Sequence, residues 1–216
     1  MPADILDPMA DEVHRTDLFA TPMWTADLTQ FHDRLPQMID TAERVLAESP
    51  APPGELFSQS QAVLQDVDDP VWIEFFRFLA ATMERIVGRE MPPVYPFERA
   101  FLRSWVLRVD DPDQYQHTGT TLNALHSHIP AVLSSVFYLQ VPGALVDAST
   151  GGTTFKDPNS VNTRAYSRPE FHLAPAPLRL AIFPAWLEHL PERPPAGTVL
   201  DVPRIVVSTD LRVELP

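Results

Sequence analysis

The chain has 216 residues, with 29 acidic against 16 basic side chains, a net charge of −13, 24 prolines and no cysteine. Without cysteine there is no disulfide framework, thiolate metal site or thiol nucleophile, and the negative charge argues against nucleic acid or an anionic membrane as the main partner. A hydrophobic fraction of 44% is that of a folded protein, no apolar run reaches the ~18 residues of a membrane helix, and the acidic N-terminus lacks the order of a signal peptide. A cytoplasmic protein forming a single domain over 1–216 is expected.

The first 96 residues read as a mostly helical layer. After a short apolar stretch from Leu18 to Trp24, apolar residues from Leu28 to Leu46 recur at spacings of three, four and seven. That period is helical, and Pro36 should kink or restart the helix. A second helix opens at Asp69, a plausible N-cap, with Pro70 at the first helical position. Its apolar face runs from Val71 and Trp72 through Phe75, Phe76, Leu79 and Met83 to Ile86 and Val87, and Gly88 lies near its end.

From residue 97 onward the pattern changes to short β-branched and aromatic segments. Strands are expected near 99–109, 122–128, 133–141, 153–155, 178–183 and 203–213. Short strands without intervening helices point to an antiparallel sandwich or barrel. The region 143–177, with Asp147, Arg164, Tyr166 and Arg168, is the expected lid or substrate loop by position.

Seven histidines are present. His14 falls in a tail expected to be disordered, His117 in a polar loop, and His172 in a proline-rich connection. His126 and His128 flank Ser127, and on a strand such a pair points to one face, roughly 6.6 Å apart at the backbone. Two imidazoles so placed can converge on one metal, although exposed or structurally satisfied histidines share the same spacing. The best third ligand is His189, which follows the strand Leu178–Phe183 and the turn begun by Pro184.

The last strand places Arg204, Val206, Ser208 and Asp210 on one face and Ile205, Val207, Thr209 and Leu211 on the other. Arg204 is either a rim residue in a surface ion pair or a buried fork awaiting a carboxylate. In Leu133–Val141, alternation puts Ser134, Val136, Tyr138 and Gln140 on one face.

In order along the chain, these residues resemble the 2-oxoglutarate/iron(II)-dependent oxygenases of bacteria and phages. The resemblance is carried by Leu18-Phe-Ala-Thr-Pro-Met-Trp24, Gly119, Asn123-Ala-Leu-His126-Ser-His128-Ile-Pro130, Ser134-Ser-Val-Phe-Tyr-Leu139, Phe155-Lys-Asp157-Pro158, Phe183-Pro-Ala-Trp-Leu-Glu-His189 and Arg204-Ile205. It implies a mainly β fold with N-terminal helices, in which residues 97–216 form a double-stranded β-helix, or jelly roll. It implies iron(II) on His126, His128 and His189, and 2-oxoglutarate as co-substrate, its far carboxylate gripped by Arg204. Tyr138 is a candidate second contact to that carboxylate or a core aromatic with a rim hydroxyl. Asn123 either orients a ligand or caps a turn.

The sequence departs from the family pattern at several places. His128 stands where related oxygenases place an aspartate or glutamate, Ser135 replaces a glycine, and Leu178 stands where a glycine precedes the Phe-Pro turn. The activity implied is hydroxylation of a small-molecule or amino-acid-like substrate. Rival readings are a cupin-like three-histidine dioxygenase that needs no 2-oxoglutarate, and a non-catalytic jelly-roll binding protein. Exposed edge strands of such a fold could pair in a homodimer.

Overall fold

The computed structural model describes residues 13–18, 21–48, 58–61, 63–90, 98–111, 125–158, 170–195 and 197–214. Near the N-terminus, Thr29–Arg34 forms a single 3-10 stretch and α1 then runs Leu35–Glu48. Pro36 therefore restarts the helix rather than kinking it, because in the first turn its missing N–H costs nothing. The second helix, α2, spans Pro70–Arg89, and its capping residue Asp69 accepts from Val71 N at 2.9 Å. All eight apolar positions expected on its inner face are buried, joined by Phe78 and Thr82.

The remaining elements are antiparallel strands in two sheets. The larger contains β1 (Val13–Leu18), β2 (Thr21–Asp27), β3 (Ser58–Gln59), β4 (Arg99–Val109), β5 (Leu133–Gln140), β8 (Arg179–Pro184) and β10 (Arg204–Glu214), in the order β1-β2-β8-β5-β10-β4-β3. The smaller contains β6 (Thr153–Lys156), β7 (Glu170–Leu173) and β9 (His189–Pro191), in the order β7-β6-β9. Together with the N-terminal helices they make a mainly β jelly roll.

Alternation along β10 and β5 separates two apolar clusters. Ile205, Val207 and Leu211, with Leu133, Phe137 and Leu139, pack on the helices, where Phe137 meets Phe75 at 4.7 Å between centroids. Val206, Val136 and Tyr138 face the other way and pack with Phe155, Leu173 and Phe183. The helices thus cover one side of the large sheet. The other side, with the small sheet opposite, is left for the site.

Four expectations need correction. Residues 125–128, the described part of the strand expected near 122–128, do not form one: His126 makes only an isolated bridge to His189, and His128 N bonds to Ala185 O at 2.8 Å. The neighbour along this segment is the turn after β8, and a turn offers no continuous ladder. The N-terminal segments 13–18 and 21–27, read as tail and apolar stretch, instead pair as antiparallel strands on the edge of the large sheet, with His14 opposite Thr25. His172 lies on β7, not in a loop. Of the region 143–177, read as a lid or substrate loop, the described residues supply a strand, β7, beside β6, the strand expected near 153–155, and Asp147 pairs with Arg179 at 2.9 Å. His117, Gly119, Asn123, Arg164, Tyr166 and Arg168 lie outside the described residues.

Candidate metal centre

Two elements bring the histidines together. His126 and His128 lie on the segment entering β5, and His189 opens β9, held there by reciprocal backbone bonds of 3.0 Å with His126. The imidazole centroids are 4.5 Å apart for His126–His189, 5.1 Å for His128–His189 and 5.2 Å for His126–His128. One nitrogen from each ring falls within 4.8 Å of the other two. An ion bound at about 2.1 Å draws neighbouring ligand atoms to about 3 Å, so a small inward closing of the side chains completes the site.

Two of the three rings already have Nδ1 engaged by an oxygen. His189 Nδ1 donates to Leu187 O at 2.9 Å. His128 Nδ1 lies 2.8 Å from Asp210 Oδ1, within hydrogen-bond reach. With Nδ1 so engaged in both residues, Nε2 is the nitrogen left for a metal. Burial pushes the His189 pKa down to about 3, helped by the neighbouring His126 and opposed by the bond to Leu187. His189 is therefore neutral at ordinary pH, the state in which imidazole ligates.

Around the histidines lies a cavity, partly open to solvent and lined by residues that include Trp105, Leu107, Val109, Val206 and Phe183. Its wall also carries Arg204, Thr153 and Ser208. Arg204 opens β10 and is only 4% exposed, so the buried reading of this residue holds. Its Nη2 approaches Gly152 O at 3.4 Å, and its guanidinium lies 5.4 Å from the centre of the Tyr138 ring. Tyr138 is fully buried, and its hydroxyl is 2.7 Å from Thr153 Oγ1. Ser208, four residues beyond Arg204, also reaches the cavity.

Residues 104–208 match a family model described as "Putative 2OG-Fe(II) oxygenase". Over those residues the chain is similar to a 2OG-Fe(II) oxygenase domain. No curated protein matches it. Among solved structures, the oxygenase is similar in fold to a Pseudomonas putida prolyl-4-hydroxylase (14% identity, TM-score 0.58, 91% of this chain and 95% of that one). It is also similar to the alpha ketoglutarate-dependent carbocyclase SnoK of nogalamycin biosynthesis (11% identity, TM-score 0.59, 89% and 79%). A third fold relative is the epimerase SnoN, in a complex with Fe3+, alpha ketoglutarate and nogalamycin RO (14% identity, TM-score 0.58, 88% and 78%). The cofactors of this oxygenase are iron(II) and 2-oxoglutarate, and the donor set fits the metal: three clustered imidazoles, two of them with Nδ1 already committed elsewhere.

Sequence reasoning missed Trp105 and Thr153 in the oxygenase pocket. The Trp105 indole stacks on His128 at 5.6 Å and 15°. Its strand, β4, was legible, but which residues of β4 face the site depends on how β4 pairs with β10. No helix among the described residues is long and apolar enough to cross a membrane.

Proposed function

We propose that this oxygenase couples 2-oxoglutarate decarboxylation to hydroxylation of a small-molecule or amino-acid-like substrate. Iron(II) is held by His126, His128 and His189, and 2-oxoglutarate by Arg204. The single observation that carries the reading is the sharing of one apolar cavity by three clustered imidazoles and a buried guanidinium. Bound iron and 2-oxoglutarate supply the oxidising chemistry, dioxygen being divided between succinate and a substrate hydroxyl with release of carbon dioxide.

The chain's own residues bind, orient and exclude water. Arg204 offers a planar fork for the far carboxylate of the co-substrate, in a site dry enough to strengthen the charge-assisted bonds. Thr153 lies on the same wall and supplies a hydroxyl; Tyr138 stands behind both. Trp105 holds the His128 ring by stacking. The walls formed by Leu107, Val109, Val206 and Pro191 suit a substrate with an apolar body at the reacting carbon. Fixing co-substrate and substrate in one geometry is the protein's main contribution.

Anaerobic titration of the iron-loaded protein with 2-oxoglutarate tests the reading. A saturable visible metal-to-ligand charge-transfer band is expected, and it should weaken in Arg204→Leu while iron remains bound. Bound iron with no band at any 2-oxoglutarate concentration would overturn the assignment of Arg204. It would instead favour a three-histidine dioxygenase that binds substrate directly or a binding protein without turnover.

A further inference from the structure

A site of two histidines and one carboxylate brings a negative charge to its metal, whereas three neutral imidazoles bring none. The nearest ionisable oxygen to these rings on β10 is Asp210 Oδ1, 2.8 Å from His128 Nδ1. Asp210 is 1% exposed, a position where an uncompensated carboxylate would be costly. Its other contacts hold it in place: Ser134 Oγ donates to Oδ1 at 2.7 Å, and Arg212 Nη2 lies 3.4 Å from Oδ2. The register sets this geometry, since Asp210 pairs directly with Ser134 at the start of β5 and the His128 segment runs just ahead of it.

We propose that Asp210 is a positioning residue that acts through His128, fixing the ring with Nε2 toward the metal and restoring the negative charge that the third histidine omits. The contact does two things at once. It places the proton on Nδ1, which selects the ligating tautomer. It also makes the imidazole a better donor, because charge shifts toward Nε2 as the Nδ1 proton is drawn toward the carboxylate. Stacking on Trp105 from the side of β4 leaves the ring little freedom to rotate out of this bond.

The inference rests on the proposed iron site, and a double-mutant cycle on iron(II) affinity, read by anaerobic calorimetry, separates the two. In the wild-type chain, Asp210→Asn is expected to weaken iron(II) binding by roughly 10–100-fold and to shift the visible bands of the cobalt(II)-substituted protein. In a His128→Asp background the expectation reverses. A carboxylate at position 128 would ligate directly and be repelled by Asp210, so adding Asp210→Asn should tighten binding. A residue that merely supports the fold would act with the same sign in both backgrounds.

Equal effects of Asp210→Asn in the two backgrounds, or none in either, would overturn the proposal. Should the Asp210→Asn chain not fold, the comparison of H128D with H128D/D210N still decides it, tighter binding in the double variant being expected and equal or weaker binding overturning it. If the wild-type chain binds no iron(II), or if His189→Ala leaves its affinity unchanged, the iron-site reading itself fails.

Discussion

The hydroxyl of Tyr138 lies 2.7 Å from Thr153 Oγ1, so a residue of the large sheet and one of the small sheet are tied together directly behind Arg204. Thr153 lines the cavity whereas Tyr138 is fully buried. The proposed carboxylate site is thus a guanidinium and a threonine hydroxyl, both held by one tyrosine. Arg204→Leu is expected to cost about 2–5 kcal/mol of 2-oxoglutarate affinity, as loss of one partner from a buried charge pair does. Tyr138→Phe should cost about 1 kcal/mol, the size of one net hydrogen bond. Calorimetric titration of 2-oxoglutarate into the iron-loaded variants measures both, and iron affinity should be unchanged in each.

Gly152 precedes β6 and lies against the backbone of Leu173 on β7. A Cβ at this position would meet Leu173 O at 2.0 Å, an obstacle of backbone that cannot swing aside. The carbonyl of Gly152 also accepts from Glu192 N at 2.8 Å and faces Arg204 Nη2. Gly152→Ala is therefore expected to push β6 from β7, lowering stability by about 1–3 kcal/mol and weakening 2-oxoglutarate binding together with it. Urea denaturation and co-substrate titration on the same variant check the pairing of the two effects.

Leu178 adopts φ = 64°, a left-handed backbone that an L side chain enters at a cost of about 1–2 kcal/mol. The conformation is needed because Leu178 N donates to Tyr138 O at 2.8 Å while Leu178 O accepts from Leu28 N at 2.9 Å. The side chain compensates, being 4% exposed within the helix-facing core. Removing a buried leucine costs about 2–5 kcal/mol, more than the strain it relieves. Leu178→Gly should accordingly destabilise the protein despite suiting the backbone better, and a rise in thermal midpoint would show that strain outweighs burial.

Asp69 joins the two helices. Beyond capping α2, its carboxylate accepts from Thr41 Oγ1 at 2.8 Å and from Gln37 Nε2 at 3.2 Å, both on α1. Burial opposes its ionisation, but the bonds from Thr41, Val71 and Gln37 together outweigh it and hold the pKa below the usual carboxylate range. A lowered pKa adds stability that is complete above the unfolded value, near pH 4, and is lost as pH falls through the folded value. Asp69→Ala should cost about 2–3 kcal/mol at pH 7 through the lost cap and the stranded Thr41 hydroxyl. Against Asp69→Asn, the wild-type advantage should shrink below about pH 4, as denaturation at stepped pH would record.

Much of this fold was legible because its signals are local. The cap at Asp69 with Pro70 and the helical period through Val87 set α2, and alternation set both faces of β10. His126, His128 and His189 were nameable because a two-residue spacing and a strand-ending proline are local facts. What stayed hidden depends on pairing. That Asp210 meets His128 follows from β10 lying beside β5 in a particular register, and Trp105 and Thr153 face the cavity only because β4 and β6 flank it. The N-terminal strand pair was missed for the same reason: β2 finds its ladder on β8, far along the chain.

Metal binding gives the most direct test of the cluster. An ion that binds only the folded state stabilises it by about 2.7 kcal/mol at one hundred times its dissociation constant. For a chain of this size that corresponds to a rise in thermal midpoint of roughly 5–10 °C. Iron(II) under argon, or manganese(II) as an air-stable substitute, should produce that rise in the wild-type chain, and a chelator should reverse it. His189→Ala should abolish it, because the variant removes the ligand whose burial keeps it neutral. Arg204→Leu should retain it in full, since the guanidinium serves the co-substrate and not the metal. A midpoint that rises equally in His189→Ala would place the ion elsewhere on this acidic surface.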